Sequence, residues 1–338
     1  MDLSFIIPAH NAKKTLARAV TSITEALKHT TLTYEILIVE NGSTDQTKKL
    51  AQQLAQDDKK ITMLTSRLGV SNARNKGLEC ALGENIIFVD ADDYLLAKSA
   101  PVLEAYFKSK PSDLGVFSYE VGQTKFLASQ KPKTHQADVF SFKEQMLKNP
   151  TKYMTVWAKI LKKSIILENK LVFNSDLRLA EDGDFMLQYL TKCQKISVSP
   201  QMFYHYATDN DASAVRKFDG KKAKDYQKAL VTSKNYLTKY AKELLPAFNY
   251  YILMHLNVIM VREVFAQNNL SYWDQIKWCK KIVQTNIFLT ALKKISLSQC
   301  KTPRLVSILF LKLHWYILAS LVFKVRIKQN KVNAKGNK

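Results

Sequence analysis

Four short apolar runs, each opening onto polar residues, constrain this chain more than any other feature. Residues 3–7 (LSFII), 35–39 (EILIV), 61–64 (ITML) and 86–89 (IIFV) have the length and uniform apolarity of strands buried on both faces. Between the first two, Leu16, Val20, Ile23 and Leu27 recur at helical spacing and predict an amphipathic helix over 13–28. Residues 70–82 predict another helix, stopped by Gly83. Strand–helix alternation with short connections predicts an α/β fold, Rossmann-like, with a mostly parallel sheet flanked by helices. Ligands bind such sheets at the carboxyl ends of the strands. The residues to watch are therefore those that close each run: Pro8, His10 and Asn11, then Glu40 and Asn41, then Asp90, Asp92 and Asp93. Asn41-Gly42 is a turn signal, and Ser43 with Gln46 predicts a capping box for the helix that follows.

Later segments are less regular. Residues 113–121 and 134–142 are weaker strand candidates, and 143–169 and 183–192 read as helical. From about 221 onward the pattern is almost entirely helical, with few acidic residues. Residues 1–220 carry 29 Lys and Arg against 25 Asp and Glu, whereas residues 221–338 carry 22 against 4. The chain thus divides into an α/β domain over 1–218, a basic helical region over 219–327, and an unstructured polar tail over 328–338. Cys80, Cys193, Cys279 and Cys300 form neither a CxxC pair nor a zinc-like cluster, so reduced thiols are expected. The first residues lack the basic and long apolar regions of a signal peptide, which points to a cytoplasmic location.

Asp90, Asp92 and Asp93 stand within four residues at the end of a buried run. Carboxylates that close repel one another unless a cation compensates. Mg²⁺ suits such a place, because it takes one or two protein carboxylates together with substrate phosphates. A lone cluster of this kind is more often a solvated loop, so the rest of the chain must decide.

Four ordered segments do: FIIPAHN at 5–11, EILIVENGSTD at 35–45, GVSNARNKG with GENIIFVDADD at 69–93, and LRLAEDGDF at 177–185. With them, residues 3–215 resemble the inverting glycosyltransferases of family 2, of the bacterial polysaccharide type, which have the GT-A fold. The resemblance implies a metal-dependent hexosyltransferase that moves a sugar from a nucleotide-sugar, most often a UDP-sugar. The acceptor would be a saccharide, lipid-linked or free, in cell-surface polysaccharide assembly such as capsule or exopolysaccharide. Asp92 would hold Mg²⁺ or Mn²⁺ at the donor diphosphate. Asp90 would lie against the ribose or share the metal. Asp93 would order the loop or cap the next helix. Pro8, His10, Asn11, Glu40 and Asn41 would line the nucleotide pocket, with Asn41 standing where the family usually has Asp. Arg74 would meet the diphosphate or the Asp90 loop. Asp182 would be the catalytic base, with Glu181 beside it. Trp157 and Lys159 match a Trp-x-Lys pair; Trp157 would form an acceptor platform or pack in the core. His205 would be a weak further metal ligand.

The basic region needs a polyanionic partner. Residues 305–323 are apolar apart from Lys312 and His314, a length near the roughly 20 residues that span a bilayer. Three placements stay open: lying on an anionic membrane surface on the cytoplasmic side, packing on the protein or on a second copy in a homodimer, and spanning. Two other functions compete. A catalytically inactive donor-binding subunit would lack the acidic residues present here. A basic nucleic-acid-binding protein would leave the carboxylates at strand ends unexplained, and no nucleic-acid module is recognisable.

Overall fold

A computed structural model describes residues 1–109, 111–208, 221–267 and 269–336. It divides into two compact units: Met1–Phe142 with Thr155–Asp211, and Lys143–Met154 with Ala212–Lys338. The boundary expected at 218/219 lies outside the described residues.

The first unit is built on a mixed sheet. Its strands are β1 (Leu3–Ala9), β2 (Tyr34–Glu40), β3 (Ile61–Thr65), β4 (Asn85–Phe88), β5 (Tyr94–Leu95), β6 (Leu114–Val121), β7 (Thr124–Phe126), β8 (His135–Gln136), β9 (Lys159–Lys162) and β10 (Ile196–Tyr206). The main order is β3-β2-β1-β4-β9-β6-β10-β5. The first four are mutually parallel, as the apolar runs require, and β1 and β2 are in register from Leu3↔Tyr34 to Ala9↔Glu40. That register sets the ends of β1 and β2 side by side. β9 runs antiparallel to both β4 and β6, so the sheet is less parallel than expected. The helices up to residue 192 are α1 (Leu16–Leu27), α2 (Thr47–Asp57), α3 (Val70–Cys80), α4 (Ser99–Lys108), α5 (Val139–Lys148), α6 (Pro150–Tyr153), α7 (Lys163–Glu168) and α8 (Glu181–Lys192), of which α6 and the end of α5 belong to the second unit.

Three expectations fail locally. Residues 143–169 are not helical throughout, because β9 forms at Lys159–Lys162 between β4 and β6. Residues 134–142 are not one strand, because β8 stops at Gln136 and α5 begins at Val139. The capping box at Ser43 does not form. The Ser43 hydroxyl accepts the Asn11 backbone N–H instead (3.1 Å), and α2 starts only at Thr47.

The second unit is helical: α9 (Lys222–Tyr240), α10 (Leu245–Ile259), α11 (Tyr272–Val283), α12 (Asn286–Lys294), α13 (Val306–Lys312) and α14 (Tyr316–Gly336). Residues 143–154 join it through Arg304, which donates to Asn149 Oδ1 at 3.0 Å, and through Lys148, which lies over the Tyr250 ring. Residues 305–323 are not one helix. The chain reverses at His314, whose φ of +60° is left-handed, and α13 and α14 form a hairpin. Lys312 ends α13 and donates to the carbonyls of Leu292 (2.8 Å) and Lys293 at the C-terminus of α12, where a cation complements the helix dipole. Residues 328–336, expected as an unstructured tail, continue α14; they contain no proline, and no glycine before Gly336. Among the described residues, Lys242–Val264 is the helical stretch long and apolar enough to cross a membrane, yet 56% of its apolar window is buried within the unit.

Candidate active site

The ends of β1 and β2 are latched together. His10 Nδ1 lies 2.8 Å from the Asn41 carbonyl oxygen, and Asn11 Oδ1 accepts the backbone N–H of Thr44 at 2.8 Å. Asn11 sits at φ +50°, a conformation asparagine tolerates better than most residues. Glu40 closes its own turn, accepting the Ser43 N–H at 2.6 Å. Pro8 stays within β1, opposite Val39.

Asn41 is anchored by the protein itself. It is buried, and its amide nitrogen donates to Ser66 Oγ (2.8 Å), the Arg67 carbonyl (2.5 Å) and the Gly69 carbonyl (3.1 Å). Its Oδ1 accepts the Gly69 N–H at 2.9 Å. The side chain thus ties the end of β2 to the loop before α3, and its acceptor is already engaged.

Arg74 organises the centre. It lies in the second turn of α3 and is 3% exposed. Its Nη1 donates to Glu181 Oε1 (3.2 Å) and Asp182 Oδ1, and its Nη2 to Asp90 Oδ1 at 3.2 Å. The guanidinium lies over the Phe173 ring, 5.3 Å from its centroid. Burial opposes its charge, but Asp182, Asp90 and Glu181 outweigh burial and hold the group above its ordinary range. Gly77 permits this placement, since a Cβ there would stand 2.4 Å from Ile6 Cγ2 of β1. Asn75 pairs both sides of its amide with the Phe173 backbone at 2.8 Å, fixing α3 against the segment that leads to α8.

Asp182 stands in the first turn of α8, following Ala180 in the left-handed region at φ +61°. Its side chain is 21% exposed, and that of Asp90 28%. Burial raises Asp182 to about 7; Arg74 pulls it down and Glu181 pushes it up. Burial likewise raises Asp90, against the pull of Arg74, with Asp182 and Asp92 adding to the rise.

The acidic loop is held from below by Tyr204. Its hydroxyl donates to Asp93 Oδ2 (2.7 Å) and accepts the Asp90 N–H (3.1 Å). Asp93 also accepts the Ala207 N–H at 2.9 Å, so it orders the loop and caps no helix. Burial and the repulsion of Asp90 and Asp92 push Asp93 up to about 9. Arg18 reaches the loop from α1, donating to the Asp92 carbonyl at 2.6 Å and lying over Tyr94. Neither Tyr204 nor Arg18 was singled out by sequence; each lies more than 70 residues from the loop it holds, and no local pattern marks it.

Three expected contributors are placed elsewhere. Trp157, 7% exposed, stacks on Tyr204 at 5.1 Å and meets Tyr119 edge-on at 4.7 Å, so it packs in the core and forms no open platform. Lys159 is 2% exposed, with Nζ donating to the Trp157 carbonyl at 3.3 Å; burial lowers it to about 7 although Asp182 acts in the opposite sense. His205 turns Nδ1 to Glu120 Oε1 (2.8 Å) and stacks on Tyr94 at 4.3 Å. Among the described residues, no three His, Cys, Asp or Glu side chains form a metal-holding group, so His205 does not join Asp90 and Asp92. The two carboxylates still offer the hard oxygen pair that suits a cation completing its shell with phosphate oxygens.

Residues 4–168 match the family model described as Glycosyl transferase family 2. That segment is the glycosyl transferase family 2 domain of the chain. The chain is similar to the poly(ribitol-phosphate) beta-glucosyltransferase of Bacillus spizizenii, 26% identical over 220 residues, which are 62% of this chain and 33% of that one. It is also similar to the poly(ribitol-phosphate) beta-N-acetylglucosaminyltransferase TarP of Staphylococcus aureus, 25% identical over 295 residues, 84% of this chain and 88% of that one. The chain therefore spans about a third of the length of the first of these relatives and most of the second. Crystal structures of S. aureus TarS 1–349 superpose with a TM-score of 0.66 over 97% of this chain and 92% of that one, at 16% identity, which shows the shared GT-A fold. Structures of that protein hold UDP or UDP-GlcNAc.

Proposed function

We propose that this family 2 glycosyltransferase moves a sugar from a UDP-sugar to a saccharide-containing acceptor of the cell surface, free or lipid-linked, with inversion at the anomeric carbon. The observation that carries the reading is the convergence of Asp90, at the end of β4, and Asp182, at the start of α8, on one buried Arg74. A donor-side carboxylate and a candidate base are thereby held at a fixed separation by one rigid cation. Similarity to a protein whose structures hold UDP and UDP-GlcNAc favours a uridine donor, and relatives named for poly(ribitol-phosphate) favour a polymeric acceptor.

The acceptor hydroxyl attacks the anomeric carbon. A new C–O bond forms as the bond to the diphosphate breaks, the proton passes to the Asp182 carboxylate, and nucleoside diphosphate leaves. Asp182, raised to about 7, is matched in proton affinity to that transfer near neutral pH. Arg74 keeps it ionised and fixes its direction. Glu181 shares the same guanidinium and raises the basicity of its neighbour. His10, Asn11 and the Glu40–Asn41 turn shape the nucleotide side, with Asn41 acting through the 66–69 loop. Asp92 and Asp90 would hold Mg²⁺ or Mn²⁺, which when bound offsets the charge on the departing diphosphate.

The test is nucleoside diphosphate release from UDP-, GDP- and TDP-sugars with Mn²⁺ and a panel of saccharide and polyol-phosphate acceptors. Wild-type protein should release UDP in an acceptor-dependent way. Asp182→Asn should lower kcat by roughly 10²–10⁴-fold while UDP binding is kept. Equal rates for the two proteins would remove Asp182 as the base, and no release from any donor would overturn the reading.

A further inference from the structure

We propose that the second unit carries a docking surface for anionic phospholipid bilayers, built from the outward face of α14 and the adjoining end of α11. α14 is apolar on two faces. Tyr316, Ala319, Ser320 and Phe323 point inward at helical spacing and pack within the unit. Ile317, Leu318, Leu321 and Val325 form a second stripe at similar spacing, and each is 42–54% exposed. A helix with one packed and one uncovered apolar face has a second layer to find. The stripe continues onto its neighbours. Trp315, in the turn before α14, is 54% exposed, and Trp273, at the start of α11, is 61% exposed. Together with Ile276, Lys280, His314 and Leu318 they line a groove of about 300 Å³.

Charge selects the occupant. Residues 272–336 contain 13 Lys and Arg and one acidic residue, Asp274. Lys277, Lys280 and Lys281 are exposed on the same helix as Trp273, and Lys328 is exposed one helical repeat beyond Val325. Lys280 lies over the Tyr316 ring (5.3 Å) and Lys324 over the Tyr272 ring (4.3 Å), so cations flank the apolar stripe. Exposed tryptophans and aliphatic side chains bordered by lysines match the headgroup–acyl boundary of an anionic leaflet, with indoles at the interface and ammonium groups at the phosphates. Basic residues near such a surface add their attractions, which in sum can hold the unit without a spanning helix. The α13–α14 hairpin, broken at His314, agrees with lying on the surface.

The full chain should co-sediment with phosphatidylglycerol vesicles at least tenfold better than with phosphatidylcholine vesicles of the same size. The double substitution Leu321→Glu with Val325→Glu, on exposed positions, should lower that partition at least tenfold at unchanged far-ultraviolet circular dichroism and melting temperature. Should that variant fail to fold, the wild type supplies an independent measure: brominated phosphatidylglycerol should quench its tryptophan fluorescence. Absence of quenching, or no preference for phosphatidylglycerol, overturns the proposal. So does a lipid-free dimer in light scattering that the double substitution dissociates, which would assign the face to a second copy, or a tighter affinity for duplex DNA than for vesicles. None of these readouts uses sugar transfer, so the outcome is separate from that of the proposed reaction.

Discussion

Removing the guanidinium of Arg74 would leave Asp90, Glu181 and Asp182 around a buried space with nothing to offset them. Breaking a buried ion pair on one side costs about 3–5 kcal/mol, because the partner charges stay behind. Arg74→Met, similar in length and without charge, should therefore unfold at lower denaturant than wild type at pH 8. The difference should shrink at pH 5. Burial already raises Asp182 to about 7, and without Arg74 to pull it down it rises further and is neutral at pH 5. A denaturation midpoint gap that is the same at both pH values would show that Arg74 acts through packing on Phe173 alone. At this scale the sequence was informative about residue type and silent about most partners. Arg74 read as meeting the diphosphate or the Asp90 loop, and it does reach Asp90, 16 residues on, while its other two carboxylates, Glu181 and Asp182, lie 107 and 108 residues away. Trp157 and Lys159 read equally well as acceptor contacts, and only burial places them in the core. Asn41 read as lining the nucleotide pocket because it stands where the family usually has Asp; the Gly69 N–H that its side-chain carbonyl accepts belongs to a loop 28 residues on.

Among elements, the parallel strands β1 to β4 were legible, and β9 and β10 were not. β1, β2 and β4 are buried on both faces and announce themselves as unbroken apolar runs. β9 is four residues, KILK, inside a segment whose pattern reads as helix, and it becomes a strand because β4 and β6 supply partners on both sides. β10 carries Pro200 at a register shift, which hides an eleven-residue strand from any periodicity. The fit of α3 against β1 yields a prediction of its own. In Gly77→Ala the new methyl meets Ile6 Cγ2 and must push α3 away from the sheet. The expected loss is about 1–3 kcal/mol from overpacking. Arg74 rides on the same helix, so kcat should also fall, by roughly 10–100-fold for a displacement near 1 Å. Gly83→Ala is the control, since its methyl would meet the Leu3 backbone at the far end of β1. It should lower the melting temperature and leave kcat of the folded fraction near wild type. Equal kcat for the two variants would separate α3 placement from catalysis.

Across the whole molecule, the charge division seen in sequence corresponds to two units that titrate in opposite senses. In the first unit Asp182 and Asp90 have folded values above the 3.8 of a free aspartate, and Asp93 is raised to about 9. Between pH 7 and pH 5 the folded unit therefore binds more protons than the unfolded chain, and its stability rises as pH falls. In the second unit His255, between Tyr226 and Tyr251, is lowered from 6.5 to about 4 by burial, against the pull of the Tyr251 carbonyl 2.9 Å from Nδ1. There the unfolded chain takes the proton first, so stability is present above pH 6.5 and is lost as pH falls toward 4. Hydrogen exchange by mass spectrometry, with EDTA and no donor, can follow the two units in one sample. After correction for intrinsic rates, amides of β1, α3 and α8 should gain protection from pH 7 to pH 5, while those of α10 should lose it. His255→Gln should flatten the α10 response and leave α8 unchanged. Parallel changes in both units would mean that these four groups do not set the pH dependence, and that the balance lies with net charge spread over the chain.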